Sequence, residues 1–106
     1  MNKKIFIIVP MIGVVREEVI AALEKAALMI KEIGMIPVTP FEVVSKSAGC
    51  DFTTKRNIPR LLECGSFIKL QGWENDKYAS LQVVIAKTMN IPELNIFVGK
   101  FMGGGQ

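Results

Sequence analysis

The densest run of side chains able to do chemistry is Gln71-Gly72-Trp73-Glu74-Asn75-Asp76, where an aromatic ring sits among amides and carboxylates. Pockets need only a few polar groups around an apolar surface, so this run suits contact with a ligand. It suits a helix start equally well, with Asn75 or Asp76 as the N-cap and Trp73 packed over a sheet edge. A second candidate is the turn Pro10-Met11-Ile12-Gly13, which breaks an apolar run. Glu74 could act as a base beside it, although a solvated loop acid is the commoner role; the same holds for Glu63. Metal chemistry has little support. Cys50 and Cys64 lack CxxC spacing and the chain has no histidine, so the two cysteines read as reduced thiols.

These segments need elements to position them. Ile5 to Val9 is a short β-branched apolar run, the pattern of a strand buried on both faces. Arg16 to Ile33 carries apolar residues at helical spacing, with Glu17 and Glu18 in its first turn and Gly34 placed to end it. Met35 to Thr39 reads as a second strand, and Phe41 to Cys50 as loop. Asp51 can cap a helix running from Phe52 toward Cys64, with a kink or restart predicted at Pro59. Ser66 to Leu70 is a third strand, a helix follows to about Met89, and Leu94 to Val98 is a fourth strand.

Strands alternating with helices predict an α/β three-layer sandwich with a four-stranded parallel sheet, flavodoxin-like in its strand order 2-1-3-4. Residues 1–99 then form a single domain and 100–106 a flexible C-terminal tail. In such sheets ligands bind where the winding reverses, beyond the carboxyl ends of the strands. The loops predicted to meet there are Val9 to Gly13 and Gln71 to Lys77.

Pro10-Met11 with Gly13 resembles an (S/G)-P-M-T-G opening, and Gly72-Trp73-Glu74-Asn75 resembles a GWENS-(K/R)-GA-x-x-E segment. With an intervening helix ending in a Leu-Leu-x-Cys-Asp pattern, these segments mark a small family of unknown function often found in phage and mobile-element genomes. It is similar to the nucleoside 2-deoxyribosyltransferases. The likeness runs to about Val98. It implies cleavage or exchange of the N-glycosidic bond of a deoxynucleoside or its monophosphate, through a glutamate that attacks the sugar carbon. Carried onto this chain, the nucleophile position is Gln82, a neutral amide. Tyr78 stands for a glycine, Asn57 for an acid of the second helix, and Cys64-Gly65 for Cys-Asp. Val9 replaces a small residue and Ile12 a threonine, while Asp76 keeps a sugar-binding acid. The resemblance therefore implies a site at Pro10, Met11, Gly13, Asn57, Gly72, Trp73, Glu74, Asn75, Asp76, Tyr78 and Gln82, with glycosyl transfer lost. Two alternatives are an interaction module with its crevice filled by Tyr78 and Trp73, and an active nucleotide N-glycosidase using Glu74 or Asp76.

Bulk properties narrow the partners. A formal charge of +3, from 13 basic and 10 acidic residues, is too scattered for the basic stripe of a nucleic-acid binder. The densest basic group, Lys46, Lys55, Arg56 and Arg60, reads as a solvated helix face. Half of the residues are hydrophobic and the mean hydropathy is +0.35, which favours a sheet buried on both faces, a homodimer or larger assembly, or both. No stretch approaches the ~20 apolar residues of a membrane span. The expectation is a cytoplasmic protein with no cofactor and no metal, whose partner is a nucleoside or nucleoside monophosphate.

Overall fold

Alternation along the first strand decides the architecture. The computed structural model describes residues 2–40 and 49–95. From β1 (Lys4–Ile8) and the residue after it, Ile5, Ile7 and Val9 enter one apolar cluster, and Phe6 and Ile8 enter another. Successive strand side chains point to opposite faces, so a strand apolar at every position needs cover on both. Val19, Ala22, Leu23, Ala26 and Ile30 of α1 (Arg16–Glu32) cover the first face. Leu61 of α2 (Gly49–Leu62) and Ala79, Val83 and Ala86 of α3 (Lys77–Thr88) cover the second.

β2 (Ile36–Val38) and β3 (Ser66–Lys69) flank β1, giving a three-stranded parallel sheet in the order β2-β1-β3. Phe6 stands opposite Val38 on one side and Phe67 on the other. The chain thus crosses to one side of β1 and then to the other, and the winding reverses between β1 and β3. That is the position the strand order predicts for a crevice.

A local signal ends α1 as expected. Gly34, at φ 81°, lets its own N–H and that of Met35 turn back to Lys31 and Ile30 at 3.0 and 3.1 Å. Asn90, at φ 61°, does the same for α3, with Ile91 donating to Ala86 at 2.8 Å.

Two expectations about α2 are corrected. The helix begins at Gly49, so Gly49 and Cys50 are helical and Asp51 lies inside the first turn instead of capping it. The helix also runs unbroken through Pro59, without a restart. Pro59 and Lys55 are both exposed, so the carbonyl that loses its helical partner can be solvated by water. Of the expected loop Phe41 to Cys50, residues 41–48 lie outside the described residues, as do most of the fourth strand and the tail at 100–106. Beside β3 the described chain contributes one parallel bridge, Phe67 to Glu93, with Leu94 donating to the Phe67 carbonyl at 2.8 Å.

Among the described residues no helix is long and apolar enough to cross a membrane. Phe6 is 0% exposed at the centre of the sheet. Phe6→Ala is expected to cost about 3–5 kcal/mol, read as a lower denaturant midpoint at unchanged slope.

Candidate functional site

The two turns singled out by the sequence meet through one carboxylate. Asp76 is 1% exposed. Its Oδ1 accepts from the backbone N–H groups of Tyr78 at 3.0 Å and Ala79 at 2.9 Å, which caps α3. Its Oδ2 accepts from the N–H of Met11 and, at 2.7 Å, from that of Ile12. Asp76 thereby fastens the turn after β1 to the start of α3, with both oxygens in use.

The neighbouring contacts close the same junction. Pro10 is buried, and its ring lies against Gly72, whose Cα could carry a methyl 3.6 Å away without a clash. Space therefore does not demand glycine at this position; φ of 98° does. Gly13 likewise has φ 67° where the turn leaves the sheet. Met11 is 5% exposed, and its sulfur accepts from Thr54 Oγ1 of α2 at 3.7 Å. The junction is filled by Met11, while the two rings expected to fill it face elsewhere.

Trp73, Glu74 and Asn75 form one 3₁₀ turn. The Trp73 ring is half-buried, with Lys69 Nζ 4.4 Å from its centroid, and Lys69 is also paired with Glu93 at 3.1 Å. The Trp73 carbonyl accepts from Ser80 Oγ at 3.0 Å. Glu74 and Asn75 are exposed. Trp73 thus anchors the turn to β3 and α3.

Tyr78 turns toward α2. Its hydroxyl donates to Asp51 Oδ1 at 2.5 Å, and the ring lines a groove of about 300 Å³ with Asp51, Thr54, Lys55, Ile58 and Leu81. The bond to Asp51 holds the phenol in its neutral form, and its pKa is pushed up to about 12. The α2 half of this groove was legible as a stripe at helical spacing, 51, 54, 55 and 58. Reading Asp51 as a cap obscured it.

Two buried amides complete the inventory. Asn57 is 1% exposed and is not without a partner. Gln82 is 3% exposed on α3, one turn beyond Tyr78, and among the described residues no hydrogen-bond partner is found for its carboxamide. A buried polar side chain without a partner is uncommon and calls for an explanation. Asp76, Tyr78, Met11 and Gly72 are therefore brought together, Gln82 lies further along α3, and Glu74 and Asn75 stand at the surface.

Cys64 is not poised for chemistry. Burial pushes the Cys64 thiol up to about 11, and its Sγ donates to the Arg60 carbonyl at 3.3 Å. Among the described residues no group of three or more His, Cys, Asp or Glu side chains could hold a metal ion.

Tyr78 is the single tyrosine of the chain, so its titration can be followed by tyrosinate absorbance. Because the folded value lies above the ordinary value of about 10, the Tyr78–Asp51 contact stabilises fully below that pH. It is lost as the pH rises toward about 12. The native protein is expected to titrate near that value and Asp51→Asn at lower pH; coincident curves would exclude the contact in solution.

Comparison with protein-family models, with curated proteins and with solved structures finds no match for this chain.

Proposed function

We propose that this chain is a nucleoside 2-deoxyribosyltransferase-like protein that binds a nucleoside or nucleotide and no longer transfers its glycosyl group. The observation that carries the reading is Gln82. A carboxamide, 3% exposed and without a hydrogen-bond partner among the described residues, stands where the resemblance places the attacking acid. Its hydrogen-bonding groups are unspent among the described residues, which leaves them for a ligand or a water molecule to satisfy. Being neutral, it stabilises a cation-like sugar carbon poorly and is a weak nucleophile. The finer sheet order 2-1-3-4, with Leu94 to Val98 as fourth strand, belongs to the same reading and is supported by the Phe67–Glu93 bridge.

The alternative in which Asp76 or Glu74 replaces the lost acid is weaker. All four donors around Asp76 would have to let go before it could attack, and Glu74 sits exposed on the 3₁₀ turn. The interaction-module reading draws support from the closed junction around Met11, which is 5% exposed.

A thermal-shift series with deoxynucleosides and their monophosphates decides between them. At ten times its dissociation constant a ligand is expected to stabilise the fold by about 1.4 kcal/mol, with no free base released over hours. Base release by the native protein would overturn the loss of transfer, and no shift with any member would leave the interaction module. Gln82→Glu places a carboxyl group at that position, and because no donor among the described residues would hold its charge there, the variant is expected to release no base.

Assembly as a homodimer or larger belongs to this reading. Leu62, Leu81 and Val84, exposed by 45%, 45% and 58%, lie on the helices of one face and offer apolar surface. Sedimentation at micromolar concentration is expected to give at least twice the monomer mass.

A further inference from the structure

The four N–H groups that converge on Asp76 form the kind of concavity that proteins use to hold an anion. Two come from the first turn of α3, where the helix dipole is positive, and two from the turn after β1. The latter two lie 65 and 64 residues before Asp76 in sequence, at the place where the winding of the sheet reverses and open α/β sheets take their ligands. Here the anion is part of the chain. Both oxygens of Asp76 are used, the side chain is 1% exposed, and the turn it holds brings Pro10 against Gly72 and Met11 against Thr54.

We infer that Asp76 is a built-in anion, which occupies this position and closes it to external carboxylates and phosphates. An incoming anion finds its donors already taken and meets a like charge beside them. A ligand at the crest of the sheet must therefore bring an uncharged group toward α3. This last consequence rests on the nucleoside reading above, and it selects the nucleoside over its monophosphate. The occupied anion position itself does not depend on that reading.

Cutting Asp76 back to glycine removes a group the size and charge of acetate and leaves the four donors in place. The bond from Ile12 is only part-buried, and Ile12 itself is 50% exposed, so a small anion has a route in. Acetate at ten times its dissociation constant is expected to raise the melting temperature of Asp76→Gly by roughly 5–10 °C over chloride of equal ionic strength. The native protein should be indifferent to the exchange. Asp76→Asn, which fills the same space with a neutral amide, should be indifferent too. Asp76→Ala, which removes a group the size and charge of formate, admits formate and provides a second variant should the glycine form fail to fold.

An equal response of native protein and Asp76→Gly would overturn the inference. So would folded variants that ignore both anions, or variants that neither anion brings to the folded state. On the native protein, a shift with a deoxynucleoside and none with its monophosphate supports the inference. Equal shifts overturn it and leave the nucleoside reading standing. No shift with either overturns the nucleoside reading alone, and the acetate and formate responses then decide the occupied anion position by themselves.

Discussion

A single buried carboxylate sets the geometry of everything at the crest of the sheet. Charge-assisted hydrogen bonds are stronger than neutral ones, and Asp76 accepts four of them at 1% exposure. The desolvation that such a burial demands is offset only because every donor is in place. The arrangement is therefore mutual. The turn after β1 keeps its shape because Asp76 holds it, and α3 begins where it does because the same side chain caps it. Loss of either half leaves a buried charge short of donors, which makes the junction stiff. A stiff junction between β1 and α3 also fixes where Tyr78 and Gln82 can stand, because both ride on the helix that Asp76 starts.

How much of this could be read in the sequence follows from the range of each interaction. The β-branched run at Ile5 to Val9, the helical spacing from Arg16 to Ile33 and the glycine at 34 are local signals, and the elements they predict are present. The cap at Asp76 is local as well, since its partners lie two and three residues ahead. Its second oxygen is committed to donors 64 and 65 residues away, which no local pattern encodes. Asp51 shows the converse: its position just ahead of an apolar pattern looked like a cap, and its actual partner is Tyr78, 27 residues on. Pro59 failed as a breaker for a different reason. Its exposed face leaves the orphaned carbonyl of the preceding turn to solvent, a property of packing that the residue type alone does not carry.

Under the proposed reading, the departures at Gly65, Tyr78 and Ile12 have structural reasons in their contacts. A side chain on Gly65 would place its Cβ 2.5 Å from the Asn2 carbonyl oxygen, too close for any residue but glycine without moving the edge of the sheet. Asn2 in turn donates to the Glu63 carbonyl at 2.9 Å and accepts from the Lys4 N–H at 3.0 Å, so it is held from both sides. Tyr78 does not obstruct the crest; it reaches across to Asp51 and joins the two helices that cover one face. Ile12 contributes only its backbone N–H to the junction and turns a half-exposed side chain outward. Under the proposed reading, positions that would serve a substrate in an active relative serve internal packing and bonding here.

That pattern bears on Gln82 as well. A glutamate at 3% exposure would have to be charged to attack a sugar, and a buried carboxylate needs donors as Asp76 has them. The donors nearest the start of α3 are already consumed by Asp76, and no other group among the described residues bonds to the side chain at 82. A neutral amide avoids most of that desolvation while keeping two donors and an acceptor for a ligand. The same committed geometry that stiffens the crest of the sheet therefore favours an uncharged residue one turn beyond Tyr78. Under the proposed reading, loss of the nucleophile and full engagement of Asp76 are then two sides of one electrostatic constraint, in which the described donors serve one buried carboxylate.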